Sequence, residues 1–212
     1  MKDIAIFGAG GFGREVACLI NLINKETPTW NLIGFFDDNP ELKGKRNEYG
    51  EILGGVDVLN SWDKPISVLM AIGSGQIVKQ VVGRIQNNYV EYPNLLYKAT
   101  YSDENNFSIG KGNIVISTIF SCAVSLGDFN VTNGSVVFGH DAKVGSYNTF
   151  MPATRVSGEV EIGNECFFGV GSIILQQLKI GDRVKLGAGS VLMTKPKNEN
   201  LYLGNPAKKF KY

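Results

Sequence analysis

Apolar residues recur at every sixth position through the second half of this chain of 212 residues. Eleven of the twelve positions reached in steps of six from Leu126 to Leu192 are apolar, and Thr132 is the exception. A helix repeats roughly every 3.6 residues and a strand about every 2, so neither element explains the period. The spacing instead predicts stacked triangular coils, in which three short strands make one coil and each strand directs one side chain to the axis. The intervening positions are Phe138, Val144, Phe150, Val156, Ile162, Phe168, Ile174, Ile180 and Leu186.

Small residues and glycines accompany this repeat. The position two before each step is mostly small or apolar, and the position after it is often one of the 26 glycines. We expect Gly or Asn at the corners of the coils, because these residues tolerate positive φ. Phe120 and Ile114 continue the phase upstream, whereas Ile109 lies one residue outside it, which predicts an irregular first coil.

Strand-like and helix-like segments alternate in the first half of the chain. An apolar run at 4–7 ends at a glycine-rich turn, and residues 39–63, which contain several glycines, are expected to be irregular. The alternation predicts an α/β domain with an open parallel sheet of Rossmann-like type over residues 1–95. Residues 96–212 are then an all-β domain with a C-terminal tail. The other predicted elements are strands at 32–36 and 67–72 and helices at 14–23 and 76–87.

Composition excludes several classes of function. Lys and Arg number 21 against 20 Asp and Glu, so no basic excess favours nucleic acid as a partner. No run of about 18 apolar residues predicts a membrane span, and the first residues are not those of a signal peptide. Three scattered cysteines indicate neither a disulfide framework nor a cysteine-rich zinc site. We therefore expect a reduced, cytoplasmic protein.

Two short motifs follow the repeat, GAGSV at 187–191 and GNPAK at 204–208. With them the chain resembles the hexapeptide-repeat acyltransferases, whose fold is the left-handed parallel β-helix. The glycine-rich turn, the pair Asp37 and Asp38, and Ile72-Gly73-Ser74 make it similar to the bacterial nucleotide-sugar and sialic-acid acetyltransferases. Members of that family that acetylate UDP-4-amino sugars place a small nucleotide-binding domain before the β-helix.

His140 is the single histidine of the chain and lies two residues after the inward-facing Phe138, beside a corner. Its unperturbed pKa of about 6.5 suits a general base near neutral pH. The residues alone leave open an exposed corner histidine without a catalytic role. The resemblance implies that His140 is the base that activates the acceptor, and that the following acidic residue, Asp141, orients the ring.

The turn at residues 8–13 leads from a strand into a helix, where backbone N–H groups suit a pyrophosphate. An acidic residue at the end of the second strand can accept from ribose hydroxyls, which fits NAD as well as a nucleotide sugar. The resemblance implies a UDP-linked amino sugar instead. Phe12 stands where many relatives have histidine. The predicted substrate-binding residues of this domain are Gly10, Gly11, Phe12, Gly13, Asp37, Asp38 and Gly73.

The resemblance also implies acetyl-CoA as the co-substrate, with contacts at Thr149, Val170 and Ala188. Gly158 follows His140 by three hexapeptides, so it should lie one coil above and leave room for the acceptor sugar. Cys122 should lie one coil below, and we interpret Cys122 and Cys166 as packing residues. Four lysines near the C-terminus either meet the coenzyme phosphates or form a solvated tail: Lys195, Lys208, Lys209 and Lys211.

These observations predict an acetyl-CoA-dependent N-acetyltransferase that acts on a UDP-linked amino sugar for surface-glycan biosynthesis. The resemblance implies a homotrimer with active sites between subunits. Sialic acid or another sugar hydroxyl is an alternative acceptor, and a non-catalytic trimer that binds a nucleotide sugar is an alternative of another class. A β-helix zinc enzyme with three histidine ligands is excluded by the single histidine, and we expect no metal.

Overall fold

The structure of the protein, a computed structural model, describes residues 1–210. The chain divides into two compact units. The first consists of Met1–Gly73 and Ile77–Leu95, and the second of Ser74–Gln76 and the residues from Leu96 onward.

The first unit is built around a six-stranded sheet. Its elements are β1 (Lys2–Phe7), α1 (Gly11–Glu26), β2 (Trp30–Phe36), β3 (Arg46–Asn47), β4 (Gly50–Gly54), α2 (Val56–Asn60), β5 (Ile66–Met70), α3 (Gly75–Arg84) and β6 (Val90–Glu91). The strand order is β3-β4-β2-β1-β5-β6, and all pairs are parallel except β3 with β4. Every residue of β5 is buried, as expected for a parallel strand covered on both faces.

Residues 39–63 differ from the prediction of an irregular segment, because they contain β3, β4, α2 and a 3₁₀ turn at Pro40–Leu42. Of the glycines that suggested a loop, Gly50 and Gly54 are the two ends of β4, Gly55 follows it, and Gly44 precedes β3. A Cβ on Gly54 would collide with Val58 of α2, and Gly54 has φ +146°. Gly54 therefore allows α2 to pack closely against β4, and the prediction was wrong because a glycine can serve packing as well as a loop.

The second unit is a parallel β-helix with three sides. In chain order its strands are β7 (Leu95–Tyr97), β8 (Thr100–Tyr101), β9 (Ser108–Ile109), β10 (Ile114–Ile116), β11 (Ile119–Phe120), β12 (Ser125–Leu126), β13 (Val131–Asn133), β14 (Val137–Phe138), β15 (Lys143–Val144), β16 (Thr149–Phe150), β17 (Arg155–Val156), β18 (Glu161–Ile162), β19 (Phe167–Phe168), β20 (Ile173–Ile174), β21 (Lys179–Ile180), β22 (Lys185–Leu186), β23 (Val191–Leu192), β24 (Leu201–Leu203) and β25 (Lys208–Lys209). A 3₁₀ turn spans Glu104–Asn106.

The three sides are three sheets. The first side contains β7, β10, β13, β16, β19, β22, β24 and β25. The second side contains β8, β11, β14, β17, β20 and β23, and the third contains β9, β12, β15, β18 and β21. Strands separated by three hexapeptides are paired in parallel from β11 to β23, which confirms the predicted stacked coils.

The core follows the six-residue repeat. All twelve repeat positions are buried, with at most 5% of each residue exposed. Thr132, the polar exception, is satisfied because its hydroxyl lies 2.7 Å from that of Thr118. Stacked rings continue the core along the axis, with centroid distances of 5.3 Å for Phe120 and Phe138 and 4.8 Å for Phe150 and Phe168.

The first coils are irregular, as expected, but the inward residue differs from the prediction. Val115 rather than Ile114 lies opposite Thr132 in the ladder, and Val115 belongs to the axial core cluster. Ile109 lies opposite Leu126. Val115 and Phe120 are successive inward residues that are five positions apart in sequence, whereas the later inward residues are six positions apart. The inward residues before Phe120 therefore lie one position later in sequence than the six-residue repeat would place them.

The corners use glycine differently from the prediction. Positive φ recurs at every sixth residue from Ser117 to Gly189, but most of these positions carry other residues, such as Asp141 and Glu159. Their N–H groups donate to the carbonyl one coil below, for example Glu159 to His140 at 2.8 Å. Within residues 1–210 this bond recurs at every one of these corners except that of Ala123, and it holds the strained backbone in place. The prediction of Gly or Asn at these positions was therefore wrong.

The glycines that follow the inward residues serve close stacking of the coils. A Cβ on Gly127 would lie 2.7 Å from the Gly145 oxygen, and a Cβ on Gly139 would lie 2.5 Å from the Gly158 nitrogen. Contacts of this length are not tolerated, so only glycine lets the next coil approach. The glycines that follow the inward residues thus reflect the spacing of the coils.

A ladder of asparagines runs inside the β-helix, at the position two before the inward residue. Asn130 and Asn148 are buried, and each donates its amide to a carbonyl of the same coil, Gly145 and Gly163 respectively, at 2.9 Å. Asn148 N–H donates to the Asn130 side-chain oxygen at 2.9 Å, and Cys166 N–H donates to that of Asn148 at 2.8 Å. These bonds connect successive coils in the interior.

The helices are short. The longest among residues 1–210 is α1, with 16 residues. Within that range no helix has both the length and the apolar character needed to cross a membrane.

Candidate active site

His140 follows β14 at the corner between the second and third sides. Its Nδ1 lies 2.8 Å from Oδ2 of Asp141, and both side chains are about half exposed, at 54% and 56%. Asp141 has φ +57°, and its N–H donates to the Cys122 carbonyl one coil below at 3.0 Å. The strained corner therefore fixes the backbone of the carboxylate that holds the ring.

The imidazole ring lies directly against Gly158, one coil above. A Cβ on Gly158 would be 2.5 Å from Nε2, 2.7 Å from Cε1 and 2.9 Å from Cδ2 of His140. The absent side chain was expected to leave room for the acceptor sugar. The structure differs, because the ring itself occupies that place.

This arrangement suits a general base. When Nδ1 donates its proton to the Asp141 carboxylate, Nε2 retains its lone pair and can accept a proton. The carboxylate also stabilises the imidazolium that forms. The pair is open to solvent, so a substrate can approach Nε2.

The three residues predicted to contact coenzyme A differ in exposure and position. Val170 and Ala188 are exposed and lie one coil apart at the corner between the first and second sides, and the Gly189 N–H donates to the Val170 carbonyl at 2.8 Å. Thr149, in β16, is only 3% exposed and its N–H donates to the Cys166 carbonyl. Thr149 thus has almost no surface in the single chain, and its contact with the coenzyme stays a prediction. Val170 and Ala188 lie at a different corner from His140.

The backbone N–H groups near His140 differ from those at the corner between the third and first sides. At the corner between the third and first sides, side chains of the coil above accept from the N–H groups of Asp128, Ser146 and Asn164, at 3.0, 2.8 and 2.7 Å. The equivalent N–H groups of His140 and Gly158 have no such acceptor within residues 1–210. Sequence reasoning missed this difference, although the glycine one coil after His140 signals it.

In the first unit, two of the glycines of the turn serve packing and two are open. A Cβ on Gly8, which has φ +109°, would lie 2.6 Å from the Ala71 oxygen, and one on Gly13 would collide with Gly8. Gly10 and Gly11 have open space at the Cβ position, and Gly10 is the N-cap of α1 without a side-chain cap. This N-terminus suits an anion. Phe12, in the first turn of α1, is half-buried.

Asp37 and Asp38 have different surroundings. Asp37 accepts from the N–H groups of Ala9 and Asn39, both at 2.9 Å, so it holds the glycine-rich turn. Asp38 accepts from the Val56 N–H at 3.0 Å and pairs with Arg84 at 2.7 Å. Both oxygens of each carboxylate therefore have partners in the structure: backbone N–H groups alone for Asp37, and a backbone N–H group and a guanidinium for Asp38. The sequence did not distinguish them.

The carboxyl ends of β1, β2 and β5 lie at one edge of the sheet, since the three strands are parallel neighbours. The turn, Asp37 and the exposed Gly73 follow these three strands. Ligands of open α/β sheets bind at this edge. The arrangement keeps most of the predicted nucleotide-site residues together.

Two of the three cysteines, Cys122 and Cys166, differ in accessibility, and this difference predicts their reactivity. Cys122 is exposed, whereas burial raises the pKa of the Cys166 thiol to about 12. Because the thiolate is the reactive form, we expect a thiol reagent at neutral pH to modify Cys122 and to spare Cys166 until the protein unfolds. Mass spectrometry of digested protein measures both sites, and Cys122→Ala is the control. Equal modification of the two in folded protein would contradict this.

Lys195, Lys208 and Lys209 are exposed, and Lys211 lies outside the described residues. Within residues 1–210, no three His, Cys, Asp or Glu side chains form a group that could hold a metal ion.

Known proteins resemble both parts of the chain. Residues 3–85 match the family PglD N-terminal domain. The acetyltransferase domain of PglB from Neisseria gonorrhoeae is 26% identical, with a TM-score of 0.87 over 99% of this chain and 100% of that one. Its structure in complex with acetyl coenzyme A gives 27% identity and a TM-score of 0.86, with 99% of each chain covered. Over nearly its whole length the chain therefore resembles hexapeptide-repeat acyltransferases.

The chain also shares its fold with more distant proteins. Perosamine N-acetyltransferase from Caulobacter crescentus, in a histidine-to-asparagine variant bound to CoA and GDP-perosamine, is 20% identical with a TM-score of 0.84, over 100% of this chain and 98% of that one. No curated protein matches the chain. The predicted fold class, an α/β domain followed by a hexapeptide β-helix, is confirmed.

Proposed function

We propose that this protein transfers the acetyl group of acetyl-CoA to the amine of a nucleotide-linked amino sugar. The observation that carries the proposal is the His140 imidazole, hydrogen bonded to Asp141 at 2.8 Å with Nε2 left as acceptor. Likeness over nearly the whole chain to the PglB acetyltransferase domain, whose structure holds acetyl coenzyme A, supports the donor. We expect the reaction in the cytoplasm, and its product in surface-glycan assembly.

The mechanism begins with the neutral amine. Its nitrogen attacks the thioester carbonyl while Nε2 of His140 takes its proton, which gives a tetrahedral oxyanion and an imidazolium paired with Asp141. Collapse of the oxyanion breaks the carbon–sulfur bond. The imidazolium then returns its proton to the leaving thiolate, so the products are the acetamido sugar and CoA.

Backbone donors suit the oxyanion. The N–H groups of His140 and Gly158 have no acceptor within the described part of the chain, and they lie at the corner that carries the base. Preorganised N–H groups aimed at a developing oxyanion commonly contribute several kcal/mol. We assign the oxyanion to these donors.

The first unit is the proposed nucleotide-sugar site. The open N-terminus of α1 at Gly10 and Gly11 suits the pyrophosphate, and Asp37 or Asp38, directly after β2, suits the ribose. We propose UDP as the nucleotide on the strength of the family resemblance. The perosamine enzyme holds a GDP sugar, so GDP-linked amino sugars are the first competitors to examine.

The division of site residues between two corners supports a homotrimer. His140 lies at one edge of the second side, and Val170 with Ala188 lies at the other. Three second sides facing a threefold axis would bring the His140 corner of one copy against the Val170 corner of the next. We propose that the complete acyl-transfer site forms in this way.

The surface of the second side supports the same arrangement. Its outward row pairs Ile119 with Val137 and Ile173 with Val191, and the exposed Arg155 lies between these two apolar pairs as the one charged residue of this stretch. Ile119, Ile173 and the adjacent Met193 are 47%, 36% and 45% exposed. The third side instead presents Lys143, Glu161 and Lys179. The apolar row is therefore the surface we propose to be covered by other copies.

Ile173→Lys tests the trimer. A second cation in this row, directly beside Arg155, should dissociate the assembly, because burial of an unpaired ammonium is costly. Light scattering should give three copies for the unchanged protein and one for the variant, with loss of turnover. Lys179→Ala on the third side is the control and should stay trimeric. A fully active monomer of the unchanged protein would contradict the shared site.

The proposed function is tested by presenting UDP-, GDP- and dTDP-linked amino sugars with acetyl-CoA and following release of the CoA thiol. One amino sugar should give saturable release that depends on His140. Release only with a sialic acid or another sugar hydroxyl would replace N-acetylation by O-acetylation. Calorimetry that shows nucleotide-sugar binding without acetyl-CoA binding would favour the non-catalytic trimer.

A further inference from the structure

Gly158 determines where the imidazole of His140 can lie. Three ring atoms, Nε2, Cε1 and Cδ2, lie 2.5 to 2.9 Å from the position that a Cβ on Gly158 would occupy. Any side chain there would force the ring to move, because the glycine backbone is fixed on both sides. The Glu159 N–H donates to the His140 carbonyl at 2.8 Å, and the Gln177 N–H donates to the Gly158 carbonyl at 3.0 Å.

The backbone conformation at position 158 does not itself require a glycine. Gly158 is absent from the residues with positive φ, unlike Gly134, Gly171 and Gly189 at the corners of the first side. Nor does its Cβ position meet the backbone of the next coil, as those of Gly139 and Gly169 do. The nearest atoms to that position all belong to the imidazole.

We propose that Gly158 is a positioning residue, whose missing side chain lets the His140 ring lie flat against the coil above while Nδ1 stays bonded to Asp141. The ring is then held on two sides, by the glycine backbone at its face and by the carboxylate at Nδ1. From the sequence we expected Gly158 to leave room for the acceptor sugar. We propose instead that it fixes the orientation of the general base. The catalytic consequence rests on the proposed function, whereas the ring geometry does not.

The test uses the single histidine as a spectroscopic probe in tag-free, full-length protein. In the unchanged protein, labelled imidazole protons should show nuclear Overhauser contacts to the Gly158 α-protons. In Gly158→Ala these contacts should vanish, because a Cβ at this position would lie within 3 Å of three ring atoms and would displace the imidazole. Missing contacts in the unchanged protein would overturn the proposal without any variant.

Kinetics supply the second measurement. In Gly158→Ala, kcat should fall at least tenfold, while KM for acetyl-CoA should change less than threefold. Gly134→Ala is the matched control, since it lies two residues after an inward position and its Cβ meets no atom within 4 Å. Its positive φ adds backbone strain that Gly158 lacks, so it also controls for general destabilisation. It should keep the ring signals and kcat of the unchanged protein.

The possible failures are distinguishable. A folded Gly158→Ala protein with unchanged ring signals overturns the positioning role, whatever its activity. If the unchanged protein shows the ring contacts but transfers no acetyl group to any amino sugar, the proposed function fails and the geometry stands. If Gly158→Ala fails to fold, the ring contacts in the unchanged protein still decide the placement.

Discussion

His140→Ala should lower turnover by roughly 10² to 10⁴ while coenzyme binding survives. Loss of the imidazole removes the acceptor for the amine proton, and positioned acid–base groups contribute factors of about this size. The exposed position of His140 means that the fold should be retained. Steady-state turnover measures the first effect, and calorimetry with CoA measures the second.

Cys122→Ala is the matched control for this experiment. Cys122 is exposed and occupies the same position in its hexapeptide, one coil below His140. It should retain nearly full turnover, because we assign it no part in the chemistry. Unchanged turnover in His140→Ala would remove the imidazole from the mechanism, and a collapse in Cys122→Ala would restore the thiol as a candidate nucleophile.

Asn148→Ala should lower the free energy of unfolding by about 2 to 4 kcal/mol, because it breaks the interior ladder. The substitution leaves the Cys166 N–H and the Gly163 carbonyl, both bonded to Asn148, without partners in the interior. It also removes the bond from its amide to Asn130 at 3.0 Å. Denaturant unfolding followed by circular dichroism measures the change.

Asn133→Ala controls for the loss of an asparagine on the same side of the β-helix. Asn133 is half-buried, and its side chain has no hydrogen bond within residues 1–210. Its substitution should change the unfolding free energy by less than about 1 kcal/mol. Equal effects of the two substitutions would mean that the ladder does not stabilise the coils.

The β-helix was predictable because its core is periodic. A side chain at Phe138 or Phe168 must point to the axis whenever consecutive hexapeptides close a triangle, and both are fully buried. The interior asparagines were not predicted, because a polar residue at Asn148 breaks an otherwise small or apolar pattern. The need for an amide is visible only in the folded coils, where the Asn148 side chain donates to the Gly163 carbonyl and accepts from the Cys166 N–H group.

The site was predictable in part. The spacing of three hexapeptides placed Gly158 above His140, and adjacency in sequence suggested the Asp141 bond. The ring orientation was not predictable, since a spacing does not say which side chain fills a space. The separate roles of Asp37 and Asp38 depend on Val56 and Arg84, which are distant in sequence.

The chemical claim is tested most directly by tracing an acetyl group. The protein is incubated with acetyl-CoA labelled with ¹³C in the acetyl group and with the amino sugar that gives thiol release, and the product is examined by NMR. Our account requires the label in an amide on the sugar nitrogen, and its absence when His140→Ala replaces the unchanged protein. Label on a hydroxyl oxygen, or free labelled acetate without acetylated sugar, would contradict it.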